Sequence, residues 1–408
     1  MVTSRYCACG AALALAVLIG CHLPQRSHGP GREPHSAHAS EDGPAVIPPG
    51  VVLAAPADLV VGLRRPRHVL ALSSGGLYGA YTTGVLDGWT RSGTRPEFDV
   101  VTGTSTGALI APYAFLGSEY DANAMKLYTG VRTEDIFRMR AWVTIPFRDA
   151  LATSVPLRQL IEAQISQELM EKIAAEHRKG RRLYVGTTDL RTKRAVIWDM
   201  GAIACRPCPE GCNLFRDVLL ASSSIPGVFP PVPFRVAIDG RNQTEWHVDG
   251  GITAPLFMPP GVFATATDPN PNPMLAGANF YAIVAGKLYP DEGLVCRRVL
   301  PVLSASTGAL FYAYCRSELA NTYWQSRLAG MRYHVLALRQ DADIHANSAV
   351  SFNQKLMTQL YREGLTDGQS RGGPNWMYVP PVLSPCDGDY ARGGLRLRTM
   401  PPVPAAVP

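Results

Sequence analysis

VVTGTSTGAL, residues 100–109, places a serine between two glycines where two apolar segments meet. The residues before it, FDVVTGTS, predict a buried strand, and TGALIAPYAFLG after it predicts an apolar helix. Gly103, Ser105 and Gly107 fit G-x-S-x-G, the strand-to-helix turn that exposes a nucleophilic hydroxyl. Glycines let strand and helix approach closely, and the helix N-terminus favours a developing oxyanion. Because Gly and Ser are common, a plain small-residue turn is the alternative.

A second glycine-rich loop, SSGGLYGAY at 73–81, follows the predicted strand HVLALSS and opens a predicted helix. A dinucleotide fingerprint is the obvious alternative, but its first glycine would fall at Ser74, and no clear acidic residue ends a second strand where a ribose would bind. Gly75 and Gly76 would instead point backbone N–H groups into a site, and the helix after Gly79 adds its dipole. The loop therefore predicts an oxyanion hole.

A nucleophilic serine needs a base, and the chain offers a carboxylate and several histidines. Asp249 in HVDGG ends a predicted strand, and Gly250 and Gly251 leave its carboxylate open to a cavity. His247 would share its face, and we expect a structural role there. The late histidines, His334 and His345, lack the small flanking residues of a strand-end loop. Asp249 is the favoured base.

The rest of the chain alternates predicted strands with predicted helices, which indicates an α/β sheet with helices on both faces. RLYVGTTDL, RAVIWDMG, NFYAIVAG and RYHVLALR are predicted strands, and NLFRDVLLASSS (213–224) is a predicted helix. No catalytic role is expected for Ser222, Ser223 and Ser224 at its end. Aromatic residues in FYAYCRSELANTYW (311–324) recur at helical spacing, so we expect core positions, with a lid or lipid-contact helix as the alternative.

Taken in order, SSGGLYGAYTTGVL, GTSTG, TTDLRTKRAVIWD, ASSSIPGVFPPV and DGG resemble the patatin-like phospholipases over about residues 68–370. The resemblance implies a three-layer α/β/α fold with a mostly parallel central sheet. It implies hydrolysis of acyl esters in phospholipids or related lipids by a Ser–Asp dyad, without histidine, metal or other cofactor. By position, Ser105 is the nucleophile, Asp249 the proton acceptor, and Gly75, Gly76 and Leu77 the oxyanion donors.

The loop, which begins Ser73-Ser74-Gly75-Gly76, departs from that family's pattern. The family usually has Asp-Gly-Gly-Gly and a basic residue before the last glycine, whereas this chain has Ser74 for the first glycine and Tyr78 for the basic residue. We expect phospholipase A or lysophospholipase activity. A non-catalytic or acyltransferase lipoprotein that binds lipid or a partner is the alternative, and the sequence does not indicate the oligomeric state.

The N-terminal residues predict export. Residues 1–20 have the charged and apolar regions of a signal peptide, and Leu18-Ile19-Gly20-Cys21 resembles a bacterial lipobox with Cys21 lipidated. His22 points to the outer membrane, so we expect a cell-envelope lipoprotein. The predicted organisation is a flexible tether over 21–60, an acyl hydrolase domain over 61–390 and a Pro-rich tail over 391–408.

Composition narrows the partners. The formal net charge of +6 is spread along the chain, so we expect no nucleic-acid binding. Beyond the predicted signal peptide and lipobox, an even number of cysteines favours disulfides over a zinc site at CRPCPEGC in an oxidising compartment. These cysteines are Cys205, Cys208, Cys212, Cys296, Cys315 and Cys386. Their pairing stays open.

Overall fold

The structure of the protein is a computed structural model. It describes residues 45–47, 67–141, 148–238, 241–259, 263–265, 268–271, 275–291, 295–344, 352–370 and 372–381. The predicted signal peptide, Cys21 and the predicted tail lie outside the described residues, as do His345 and Cys386.

The described strands build one large sheet and two small hairpins. In chain order they are β1 (Ala45–Ile47), β2 (His68–Leu72), β3 (Val100–Thr104), β4 (Arg138–Met139), β5 (Ala152–Thr153), β6 (Arg182–Asp189), β7 (Arg194–Asp199), β8 (Val232–Ile238), β9 (Arg241–Asp249), β10 (Phe263–Thr265), β11 (Asp268–Pro271), β12 (Asn279–Val284) and β13 (Arg332–Ala337). The large sheet has the order β1-β8-β9-β6-β3-β2-β12-β13, and β7 also pairs with β6. The strands β6, β3, β2, β12 and β13 are parallel, whereas β7 and β9 pair antiparallel to β6, and β8 pairs antiparallel to β9.

Helices cover both faces of this sheet. They are α1 (Gly79–Arg91), α2 (Thr106–Leu116), α3 (Asp121–Thr129), α4 (Thr133–Ile136), α5 (Val155–Gln164), α6 (Gln167–Arg178), α7 (Met200–Ala204), α8 (Glu210–Ser222), α9 (Val299–Leu328) and α10 (Gln354–Gly368). Side chains alternate along β2, so Leu70 and Leu72 pack into one hydrophobic cluster, and Val69 and Ala71 into the cluster on the opposite face. The result is the expected α/β fold, with a mostly parallel central sheet between helical layers.

Pairing register brings two strand ends into one row. Thr104, the last residue of β3, pairs with Gly186 of β6, and the next residue of β6, Thr187, pairs with Asp249 at the end of β9. Because β7 pairs with the other edge of β6 at both residues, β3 and β9 meet the same edge of β6, one after the other. Ser105 follows Thr104 directly, so it lies next to Asp249. The carboxyl ends of parallel strands are where ligands bind in open α/β sheets.

Within the predicted tether, Ala45–Ile47 forms a strand that pairs in parallel with β8 at the edge of the sheet. A short run with two β-branched residues between prolines supplies the extended backbone and the strand propensity that this pairing uses.

The expectation that the aromatic residues within 311–324 lie in the core is wrong for most of them. They lie on the 30-residue helix α9, where Tyr323 packs against the core, Tyr312 and Tyr314 are only half-buried and Trp324 is 57% exposed. Helical spacing predicts which stripe of a helix faces the body, but it does not predict how far a long helix extends past the sheet against which it packs.

The CRPCPEGC segment forms a disulfide between Cys208 and Cys212. Cys205, Cys296 and Cys315 are free thiols. Within the described ranges, no group of three or more histidine, cysteine or acidic side chains could hold a metal ion.

Candidate active site

Ser105 lies on a tight turn between β3 and α2. Its backbone has φ 55° and ψ −121°, and a positive φ is uncommon for a residue with a side chain. The two flanking glycines make this turn possible. A Cβ on Gly103 would lie 2.5 Å from the carbonyl oxygen of Gly107, and a Cβ on Gly107 would lie 2.3 Å from that of Leu72. The turn therefore holds Ser105 in a conformation set by its surroundings.

The side chains of Ser105 and Asp249 are in direct contact. The hydroxyl of Ser105 donates a hydrogen bond to Oδ2 of Asp249 over 2.6 Å, and the N–H of Gly251 donates to Oδ1 over 2.7 Å. Both residues are buried. Gly250 and Gly251 begin a short 3₁₀ turn after β9, which aims the second N–H back at the carboxylate. A carboxylate within hydrogen-bond reach of a serine hydroxyl has the geometry of a general base.

Burial changes the acidity of Asp249. Loss of water raises the pKa of its carboxyl to about 7, and the hydrogen bonds from Ser105 and Gly251 oppose that rise. A base is most effective when its pKa lies near the working pH, because it is then both ionised and basic enough to accept a proton. An ordinary exposed aspartate would be a much weaker base.

One segment, Ser222–Ser224, holds the backbones of both residues. The hydroxyl of Ser222 accepts from the N–H of Ser105 over 2.9 Å and donates to the carbonyl of Gly186 over 2.7 Å. The carbonyl of Ser224 accepts from the N–H of Asp249 over 2.8 Å. No sequence motif predicts these hydrogen bonds, because they depend on where the end of α8 packs against the sheet.

The glycine-rich loop lies beside Ser105, and Gly76 lines the same cleft. The start of the loop is fixed, since Ala285 N–H donates to the Ser73 hydroxyl and Ser74 N–H donates to the carbonyl of Pro255, both over 2.8 Å. A 3₁₀ turn, Gly76–Tyr78, follows. The N–H groups of Gly75, Gly76 and Leu77 find no acceptor among the described residues. Free amides at the start of a helical turn are suited to bind an oxyanion.

The two unusual loop residues have different surroundings. Ser74 is buried, and its hydroxyl has no hydrogen-bond partner within the described part of the chain. Tyr78 is half-buried; burial raises the pKa of its phenol to about 12, with smaller contributions from Tyr312 and Asp291. Tyr78 is therefore neutral at physiological pH. The loop has no positive charge at this position, where the family that the sequence resembles usually has a basic residue.

The described histidines lie apart from this dyad. His247 is fully buried, with Nδ1 2.9 Å from the hydroxyl of Thr187 and Nε2 3.3 Å from Glu245, and burial lowers its pKa. His334 lies on β13, with Nδ1 3.3 Å from the carbonyl of Phe280. Neither has a hydrogen bond to Ser105 or Asp249. His345 lies outside the described residues.

An apolar cleft opens beside Ser105. Leucine, isoleucine, valine and phenylalanine side chains form most of its wall, together with Gly76, Ser105, Thr106, Tyr128 and Ser223. The apolar members are Leu109, Leu127, Val131, Ile136, Leu157, Leu160, Ile225, Phe229 and Phe352. A cleft of this composition suits a hydrocarbon chain.

Comparison with known proteins agrees with this geometry. Residues 70–259 match the family model described as patatin-like phospholipase, and the match spans the glycine loop, Ser105 and Asp249. This segment belongs to the patatin-like phospholipase family. Family membership supports a lipolytic hydrolase in general terms, and it suggests a lipid substrate. The patatin-like match ends before β12, so α9 and β13 lie outside it.

Among solved structures, the chain is similar to the crystal structure of VipD from Legionella pneumophila. The two are 14% identical, the match covers 73% of this chain and 67% of that chain, and the TM-score is 0.33. Comparison with curated proteins gives no match. In the described part of this patatin-like chain, no helix combines the length and the apolar character needed to cross a membrane.

Proposed function

We propose that the protein is a serine-dependent lipid acyl hydrolase with a Ser105–Asp249 dyad. The observation that carries the proposal is the 2.6 Å hydrogen bond between these two buried side chains. The free amides of Gly75, Gly76 and Leu77 in the neighbouring loop support it, as does the patatin-like match.

The reaction follows from these positions. Asp249 accepts the proton of Ser105 as Oγ attacks the ester carbonyl, and the loop amides donate to the oxyanion of the tetrahedral intermediate. The carboxylic acid of Asp249 then protonates the departing alcohol, which leaves an acyl group on Ser105. Asp249 next deprotonates a water that attacks this acyl ester, and collapse of the second intermediate returns the proton to Ser105 and releases the fatty acid.

The apolar cleft indicates which part of the substrate binds beside the dyad. It offers hydrocarbon contacts over most of its wall, so we propose that it receives the fatty acyl chain. The headgroup then lies towards the opening. Phospholipase A and lysophospholipase activities both fit this placement.

A non-catalytic lipid-binding protein is the competing candidate. The neutral Tyr78 in the loop favours it, because a site without a cation binds a developing oxyanion less strongly. Catalysis remains our proposal, since backbone amides alone can serve as oxyanion donors.

We also propose, from the sequence alone, that Cys21 carries a lipid anchor in the cell envelope of a bacterium, at the outer membrane. The mass of the N-terminal peptide of the mature protein tests this. A diacylated or triacylated Cys21 is expected, and an unmodified N-terminus at another residue would exclude it.

Release of fatty acid from phosphatidylcholine and lysophosphatidylcholine in mixed micelles tests the proposed function. We expect the wild-type protein to release fatty acid and Ser105→Ala to release none above background. Ser118→Ala removes an exposed hydroxyl elsewhere and serves as the matched control; it should match wild type. Lipid binding by the wild-type protein without fatty acid release would favour the non-catalytic candidate.

A further inference from the structure

The helix α9 is much longer than the strands that it connects. Its 30 residues span about 45 Å, whereas the six residues of β13 span about 20 Å. Because β12 and β13 are parallel, the helix between them runs antiparallel to both. Its first half therefore extends beyond the carboxyl ends of the strands, which is the edge of the sheet where Ser105 and Asp249 lie.

This first half contacts the body next to the active site. The hydroxyl of Tyr314 donates to the carbonyl of Thr253, four residues after Asp249. The helix is thus attached to the body beside the dyad. Tyr312 lies near Tyr78 of the glycine loop and contributes to the raised pKa of its phenol.

The rest of this half has little cover from the described residues. Among the side chains of α9 whose burial the structure describes, the fully buried ones all lie in its second half: Leu319, Thr322 and Ser326. In the first half, Val299 is 51% exposed, Val302 46% and Leu310 72%. We refer to residues 299–314 as the apolar overhang. Ile252, which precedes the Thr253 that Tyr314 contacts, is 55% exposed. The exposed residues between Val302 and Leu310 are small: Ser304, Ala305, Ser306, Thr307 and Ala309. Large exposed apolar side chains on one half of a helix favour an interaction site.

The charged residues at the start of the apolar overhang are basic. Residues 299–315 contain no charged side chain, and residues 295–317 contain no acidic one. Asp291, which lies near Tyr312 and raises the pKa of its phenol, is paired with Lys287 over 2.8 Å. Arg297 and Arg298 precede the helix, and both are exposed. Arg316 turns to the body, where it donates to the carbonyl of Leu288. The outward charge at the start of the apolar overhang is therefore positive.

We propose that the apolar overhang lies on a lipid bilayer that contains anionic headgroups, and that it holds the active-site cleft against that surface. This inference rests on the proposed function, because a lipid bilayer is where an acyl hydrolase of this kind meets its substrate. Apolar side chains enter the boundary between headgroups and acyl chains, and basic side chains attract anionic lipid.

Flotation with vesicles tests the inference. The full chain is used with Cys21→Ser, so that no lipid anchor contributes to binding. The probes are vesicles of phosphatidylcholine alone and of phosphatidylcholine with phosphatidylglycerol. We expect the protein to bind the mixed vesicles. Leu310→Asp should weaken binding by at least about tenfold, because it places a charge where the proposal has a leucine entering the bilayer.

Two further variants identify the surface. Replacing Arg297 and Arg298 with glutamine should weaken binding to the mixed vesicles about fivefold for each arginine and leave binding to neutral vesicles unchanged. Asn321→Asp adds the same charge as Leu310→Asp on an exposed position of the second half of α9, about 16 Å along the helix. This matched control should bind as the parent protein does.

Activity measurements distinguish an error in the proposed membrane-binding surface from an error in the proposed catalytic function. Leu310→Asp should hydrolyse p-nitrophenyl butyrate at the parent rate while its hydrolysis of vesicle phospholipid falls. Parent protein that hydrolyses p-nitrophenyl butyrate but binds no vesicles would overturn this inference alone. Vesicle binding that depends on Leu310, without hydrolysis of any ester, would overturn the proposed function and keep the surface. A dimer that Leu310→Asp dissociates, without vesicle binding, would assign the apolar overhang to a second copy of the chain.

Discussion

The nucleophile turn and the glycine loop follow neighbouring parallel strands, β3 and β2, yet they are held in different ways. In the nucleophile turn, the hydroxyl of Ser105 is bonded to Asp249 and its N–H to Ser222. In the glycine loop, the first residues are anchored, but the N–H groups of Gly75, Gly76 and Leu77 have no acceptor among the described residues. Groups that exchange a proton are fixed in advance, whereas groups that would stabilise a transient charge are left free to bind it.

The largest effect is expected for the proton acceptor. Asp249→Asn keeps the size of the side chain but cannot accept the serine proton, so kcat for p-nitrophenyl butyrate should fall by about 10⁴-fold. Asp149→Asn removes an exposed carboxylate paired with Arg140 and is the matched control. Retention of more than about one percent of activity in Asp249→Asn would contradict the assigned role.

A smaller loss of activity is expected for a change in the glycine loop. A Cβ on Gly75 would lie 2.1 Å from the carbonyl oxygen of Ala285, so Gly75→Ala must displace the loop and its amides. We expect kcat to fall by about 10²- to 10³-fold, the cost of losing an oxyanion donor. Gly308→Ala, where nothing lies within 4 Å of the added carbon, should leave the rate unchanged. A normal kcat in Gly75→Ala would remove the loop from the mechanism.

A change at Ser222 tests whether holding the backbone of Ser105 in place affects catalysis as well as stability. Ser222→Ala removes the acceptor for the Ser105 N–H, so we expect kcat to fall roughly tenfold with KM unchanged, and stability to fall by about 1 kcal/mol. Ser224→Ala is the matched control, because its hydroxyl bonds within α8 and its carbonyl, which holds Asp249, remains. Equal losses of stability with equal kcat in both variants would show that Ser222 is only structural.

The pH dependence follows from the pKa of about 7 at Asp249. Activity requires the ionised form, so kcat/KM should rise with pH and level off above 7, about tenfold higher than at pH 6.

The free energy of unfolding has the opposite pH dependence. The folded protein holds this proton up to about pH 7 and the unfolded chain only to about pH 3.8, so stability from this group falls between those values as pH rises. Asp249→Asn should therefore be more stable than wild type at pH 8, by up to about 4 kcal/mol. A profile that levels off below pH 5 would contradict the raised pKa.

Local patterns predicted the parts of this site that are local. The strand, turn and helix around Ser105 and the glycines after Asp249 are readable in the sequence because backbone conformation there depends on a few adjacent residues. The roles of Ser222 and Ser224 depend on contacts across more than 20 residues of chain, which no motif encodes. For the aromatic residues of α9 the sequence favoured core positions and left a lid or lipid-contact helix as the alternative, because a helix pattern does not report the length of the strands beneath it.

The most direct test of the central claim is labelling with a fluorophosphonate, followed by peptide mapping. Only an activated serine reacts readily with this probe. The account predicts that the label is found on Ser105, that the labelling rate falls as pH drops below 7, and that Asp249→Asn abolishes it. Label on a different residue, or labelling of Ser105 at the wild-type rate in Asp249→Asn, would contradict the dyad.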